Sequence, residues 1–226
     1  MKKKVNARLL TGLILLVSLI GSIVFAAVKF AAAPESAAAP GERIRSDYLL
    51  MLVQCAAGLI IMFLPSIIER KFSLELPNYI YTMFFVFLYC AIYLGEVRNF
   101  YFVFKHWDTF LHFFSAAMLG ALGFMLVDIL NHTSAKVQLS PLFVGLFAFS
   151  FAVMIGVLWE IYEFSFDALL GLNMQKFRLE DGTLLIGREA LLDTMMDFIT
   201  NTLGALVVPV LGAVSEKIKL IKKGQS

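Results

Sequence analysis

The sequence predicts an all-α fold: a polytopic membrane helix bundle of about six transmembrane helices with both termini cytoplasmic. Three observations carry this. Apolar stretches near the 20 residues that a helix needs to cross a bilayer recur six times along the 226-residue chain. Residues are 60% hydrophobic and only 16% charged, with a mean hydropathy of +0.82, whereas soluble domains carry about 25% charge. The charges that exist gather between the stretches, as in Glu69-Arg70-Lys71 and in Lys217, Lys219, Lys222 and Lys223.

Lys2, Lys3, Lys4 and Arg8 precede Leu9 to Val28, which has no charge. This run reads as an uncleaved first span. A signal-like anchor is the alternative, but its apolar region would usually be only about 7–15 residues. The Ala/Pro segment from Ala31 to Pro40 reads as an extended linker. Residues 1–47 therefore form a first span plus linker, and 48–226 a five-span membrane domain. Its spans are Tyr48–Ile68, Leu76–Gly95 with Pro77 in the first turn, Thr109–Val127, Val137–Trp159 continuing past Glu163, and Phe198–Ser215 with a helix starting near Glu189. Asp128 to Lys136 is a short polar turn. An outer loop at 165–191 carries the pair Asp181-Gly182 between apolar residues, a hairpin signal. Connections of this length are often binding loops or lids.

Six spans place both termini on one side. With the termini inside, eleven of the nineteen Lys and Arg residues (Lys2, Lys3, Lys4, Arg8, Arg70, Lys71, Lys136 and the four C-terminal lysines) are internal, which fits a positive-inside orientation. A net charge of +2 gives no nucleic-acid footprint. Cys55 and Cys90 lie in apolar runs and show no metal or redox spacing.

Three polar constellations then fall at one level of the membrane, the outer one in this topology. Asp108 and His112 open the fourth span, Glu160 and Glu163 close the fifth, and Asp193, Asp197 and Asn201 open the sixth. Spacings of three and four residues place each set on one helix face. Facing lipid would cost a charge about 2.5–3.5 kcal/mol at mid-helix, so the three faces are expected to turn inward and meet. Ala116 and Gly120 permit close helix approach, and Trp107 and Trp159 suit the interface. Taken singly, Asp108 reads as an N-cap, Asp193 as a first-turn acid, and His112 and Asn201 as interhelical hydrogen-bonding groups. Glu160 and Glu163 resist such a reading, because a helix C-terminal end disfavours anions. Asp197 lies too deep for a cap. Five acids together require protons, a cation, or basic loop residues such as Arg188 or Lys105.

Carboxylates with one imidazole make a divalent-metal ligand set suited to Mg or Mn, or to Zn or Fe. Asp108, His112, Glu163, Asp193 and Asp197 are the expected ligands of a metal or polar group, with Glu160, Asn201 and Arg188 supporting. Glu163 reads as the better ligand of the two glutamates. No HExxH motif, nucleophile elbow or P-loop is present, and no catalytic residue is assigned.

The pattern Asp108-x3-His112, Trp159-Glu160-x2-Glu163 and Asp193-Thr194-x2-Asp197-x3-Asn201-x2-Gly204-Ala205 resembles the YjdF-type bacterial inner-membrane proteins. A looser likeness is to VanZ-like membrane proteins; Glu163 stands where their pattern has Gln, and their Arg before Asp197 is missing. The resemblance covers Asp108 to Ala205 and implies a multi-pass protein of the bacterial cytoplasmic membrane with a shared polar site; it implies no chemistry. The expected function is a polar, divalent-metal-binding site at the outer face, in an enzyme acting on an anionic lipid or envelope precursor, with Arg98, Lys105 and Arg188 available to its charge. A proton-coupled transporter or a structural accessory protein are the alternatives. The transporter reading meets a difficulty, because the inner halves of these spans are nearly all apolar and carrier sites lie near the midplane.

Overall fold

The computed structural model describes residues 6–36, 42–73, 75–133, 139–179 and 182–223. The six apolar stretches are largely helical, and each is long and apolar enough to cross a membrane. The helices are α1 (Ala7–Ala32), α2 (Arg45–Ile61), α3 (Leu64–Phe72), α4 (Asn78–Leu88), a π-helical segment (Tyr89–Val97), α5 (Phe100–Val103), α6 (Trp107–Thr133), α7 (Pro141–Leu170) and α8 (Arg188–Lys223). Residues 37–40 of the Ala/Pro linker, residues 134–136 of the polar turn and Asp181 of the hairpin signal lie outside the described residues, and the first part of that turn, from Asp128 to Thr133, is instead the end of helix α6. Next to Asp181, Gly182 adopts a positive φ of 86° and Arg178 pairs with Leu184 in an isolated antiparallel bridge.

The chain forms two compact units: Met1–Trp107 with Ala168–Asn173 and Arg178–Leu184, and Asp108–Asp167 with Met174–Phe177 and Leu185–Ser226. In the first, α1 packs against α2 and α4 around Leu15, Leu19, Met51, Cys55 and Tyr81, all nearly inaccessible. The second span is two helices. Pro65 has no N–H to donate to Ile61 and its ring crowds that turn, so α2 ends at Ile61 and Pro65 sits in the first turn of α3. Glu69 closes the end of α3 by accepting the Leu76 amide at 2.7 Å and the Tyr81 hydroxyl. The third span changes to i→i+5 bonding, as in the 2.9 Å bond from the Arg98 amide to the Tyr93 carbonyl. Wider turns leave backbone carbonyls short of donors. The Trp107 indole donates to the Cys90 carbonyl at 3.3 Å, and the Arg43 guanidinium to those of Glu96 and Val97 at 3.0 and 3.2 Å.

The second unit holds α6, α7 and α8, and each pair meets at a glycine. A methyl group at Gly123 of α6 would lie 3.1 Å from the Ala148 Cα of α7; one at Gly156 of α7 would lie 2.7 Å from the Asn201 amide nitrogen of α8; one at Gly204 of α8 would overlap the Phe113 carbonyl of α6. Ala116, Ala152 and Ala205, one from each helix, form a buried cluster. Small residues let apolar helices approach closely where no hydrophobic force drives them together in lipid. On α7 the buried positions are Val144, Ala148, Ala152, Gly156, Glu160, Glu163 and Asp167. One continuous face, spaced by four or three residues, thus runs from apolar to small to acidic.

Helix α7 starts later than Val137 and continues to Leu170. The two glutamates therefore lie inside the helix rather than at its end, and the carbonyls around them remain bonded within it. Because α8 begins at Arg188, the connection comprises residues 171–187, shorter at both ends than 165–191.

Candidate acidic and histidine site

The site belongs wholly to the second unit. Asp108 and His112 stand one turn apart at the start of α6, and Asp197 stands two turns into α8. The His112 Nε2 atom lies 3.5 Å from Asp108 Oδ1 and 3.7 Å from Asp197 Oδ2. One donor atom from each of the three residues lies within 4.8 Å of the others, near the limit for donors of a single ion. His112 and Asp197 are buried, and the Asp108 side chain is 19% exposed.

Glu160 on α7 is 3% exposed, and neither carboxylate oxygen makes a hydrogen bond of good geometry with a described residue, although the Thr194 hydroxyl of α8 is near enough to act on it as a donor. It lies within electrostatic reach of His112, Asp193 and Asp108. Asp197 Oδ2 and the Asn201 amide nitrogen are likewise buried without hydrogen-bond partners. A buried polar group without a partner costs about 1–3 kcal/mol, more when charged. Glu163, one turn further along α7, is held differently: the Trp159 indole donates to its Oε1 at 2.8 Å. Both glutamates lie within electrostatic reach of Asp108, and they differ in that one Glu163 oxygen is taken up by the Trp159 indole. Three residues turn a helix through about 300°, so neighbouring stripe positions do not point alike.

Asp193, one turn above Asp197, pairs with a residue that the sequence reading left out of the site. Lys176 enters from the 171–187 connection, and its ammonium pairs with Asp108 and, at 3.2 Å, with Asp193. Burial works against its charge, but Asp108 and Asp193 outweigh burial and hold the ammonium above its ordinary titration range. Lys176 is carried in by Asp167, whose two carboxylate oxygens accept the Met174 and Gln175 amides at 2.8 and 3.0 Å. The Gln175 side chain then donates to Thr194 of α8 at 2.9 Å. Asp167 was legible in principle, since it continues the Glu160 and Glu163 face by four residues. Nothing in the local sequence singles out Lys176. Of the basic residues expected nearby, Arg188 is exposed and has no hydrogen bond or ion pair with a described residue; Arg98 and Lys105 are exposed and belong to the first unit.

Five acids (Asp108, Glu160, Glu163, Asp193, Asp197) thus share one ammonium and one imidazole. Even with both of these charged, the carboxylates remain in excess. Oxygen donors with an imidazole suit Mg, Mn, Zn or Fe.

Residues 8–217 match a family model described as "Predicted membrane protein (DUF2238)". An uncharacterized protein of Thermotoga maritima is 32% identical over 143 residues, which cover 63% of this chain and 66%, just under two thirds, of that protein's length. No solved structure matches the chain.

Proposed function

Taking as premise that the chain belongs to the DUF2238 family of predicted membrane proteins, we propose that it is a multi-pass membrane protein that binds a divalent cation. The ligands are Asp108, His112 and Asp197, and Glu160 is the carboxylate beside them. The observation that carries this reading is the grouping of the three donors within 4.8 Å of one another next to the buried carboxylate of Glu160. Glu163 and Asn201 form the adjoining wall, and Asp193 shares Lys176 with Asp108. The likeness of these motifs to YjdF-type proteins, and more loosely to VanZ-like ones, accords with a site shared beyond this chain.

The substrate class follows from the setting. A cation at the end of three apolar helices would meet polar groups at the bilayer surface, and it would polarise a phosphoryl or carbonyl oxygen or activate water there. The proposal is therefore an enzyme acting on an anionic lipid or envelope precursor, on the outer face of a bacterial cytoplasmic membrane with both termini inside.

The test is metal analysis of the purified protein, with thermal unfolding in Mn2+ and in EDTA. Binding at a hundred times Kd stabilises by about 2.7 kcal/mol, and Asp197→Asn and His112→Ala lose that increment. No bound metal, together with the same midpoint in Mn2+ and EDTA, sinks the reading.

A further inference from the structure

Lys176 is held in place by unusual means. Its φ of 48° puts a non-glycine residue in the left-handed region, which costs about 1–2 kcal/mol. Such backbone strain persists only where the surroundings enforce it, and it gathers at functional sites. Here the enforcing contacts are explicit. Asp167, buried in the last turns of α7, holds the amides of Met174 and Gln175, and Gln175 reaches Thr194 on α8. Phe177, just beyond Lys176, accepts the Leu185 amide at 2.9 Å. Residues 174–177 are thus a strap fastened on both sides of the lysine, and the strained residue delivers its ammonium to Asp108.

Asp108 is also the shared member of two sets. One oxygen faces His112 in the group that brings in Asp197; the other takes the ammonium. A divalent cation among Asp108, His112 and Asp197 would lie one carboxylate away from a fixed positive charge, and the two cations repel.

We propose that Lys176 is a tethered ammonium that competes with the divalent cation for Asp108, so that cation binding expels the lysine and loosens the 174–177 strap. This rests on the cation-binding reading above and adds its regulation: the site is closed by its own lysine and opened by metal. Asp167 is the positioning residue of the device. It acts by holding the backbone that carries Lys176, through the Met174 and Gln175 amides. Reciprocity requires that whatever loosens the strap also tightens metal binding by the same factor.

The experiment is a Mn2+ titration of the full chain in detergent or nanodiscs, comparing wild type with Lys176→Met, Lys176→Arg and the control Lys29→Met, an exposed lysine of the first unit. Hydrogen exchange of the Met174 and Gln175 amides in wild type is followed with and without Mn2+. Lys176→Met is expected to bind Mn2+ about tenfold more tightly. Lys176→Arg and Lys29→Met are expected to stay near the wild-type value, and exchange at Met174 and Gln175 to accelerate with Mn2+. Equal affinities in wild type and Lys176→Met overturn the competition and leave cation binding standing. Absence of Mn2+ binding in both overturns the underlying reading and the inference with it. If Lys176→Met fails to fold, the wild-type exchange decides alone: amides equally or better protected in Mn2+ refute the release.

Discussion

Gly204→Ala tests whether helix packing sets the geometry of the site. The added methyl group would overlap the backbone carbonyl of Phe113 and stand 3.0 Å from the Ala116 Cβ. Neither neighbour can rotate away, so α6 and α8 must separate. Restoring ordinary contact distances of about 3.5–4.0 Å requires an opening of roughly 1 Å. Phe113 adjoins His112, so the opening falls on the pair that now stands 3.7 Å apart, His112 and Asp197. Two donors of one ion at about 2.0–2.3 Å can be no more than about 4.6 Å apart. An opening of roughly 1 Å takes the pair to that limit or past it. The expected outcome is a stability loss of about 1–3 kcal/mol, with Mn2+ affinity reduced at least tenfold. Thermal unfolding in EDTA reads the first and a Mn2+ titration the second. Gly21→Ala is the control, because nothing lies within 4 Å of the group it would add. Wild-type stability and affinity in Gly204→Ala would refute the claim that this contact sets the site.

Other variants separate charge from packing. Glu160→Gln replaces a buried carboxylate set among other acids with a neutral amide, and is expected to stabilise the protein in EDTA by about 1–3 kcal/mol while weakening Mn2+ binding; calorimetry in the two conditions shows whether the signs oppose. Trp159→Phe deprives Glu163 of its indole donor and is expected to cost about 1–3 kcal/mol, read as a lower thermal midpoint. Lys176 titrates above its ordinary value of 10.5 when folded. A raised folded value gives stability that is fully present below the unfolded value and lost as pH rises through the folded one. The stability difference between wild type and Lys176→Met is therefore expected to be constant from about pH 6 to about 9 and to shrink above the ordinary value; unfolding across that range checks the direction.

Much of this architecture was legible because lipid makes the rules strict. Backbone groups in hydrocarbon must bond internally, so long apolar runs become helices, and all six stretches do. Charged residues at spacings of four within such runs turn inward, which brings Asp108, His112 and Asp197 together. What escaped depends on conformation between or along helices. The place of Lys176 is set by one left-handed backbone angle and by two amides bonded to Asp167, neither of which has a periodic signature. The order of Glu160 and Glu163 depends on the rotation of α7 about its axis, and Gly156 against Asn201 contributes to fixing it. The π-helical bonding from Tyr89 left no trace in the hydrophobic pattern, and the break at Pro65 lies inside a run that reads as continuous.

The acidic end of the buried face of α7 bears on how the protein is made. During synthesis α7 leaves the ribosome before Lys176 and before α8. Until those arrive, Glu160, Glu163 and Asp167 share one stripe with no ammonium from the strap and no Gln175 or Met174 amide to bind. Released singly into lipid, that stripe would carry a penalty of up to about 2.5–3.5 kcal/mol for each acid, less near the ends of the span. Helices α6, α7 and α8 are therefore best integrated as a group, held beside the insertion machinery until the last supplies Asp193 and Asp197 and the strap closes. The features that make the folded site compact also set the order in which its parts enter the bilayer.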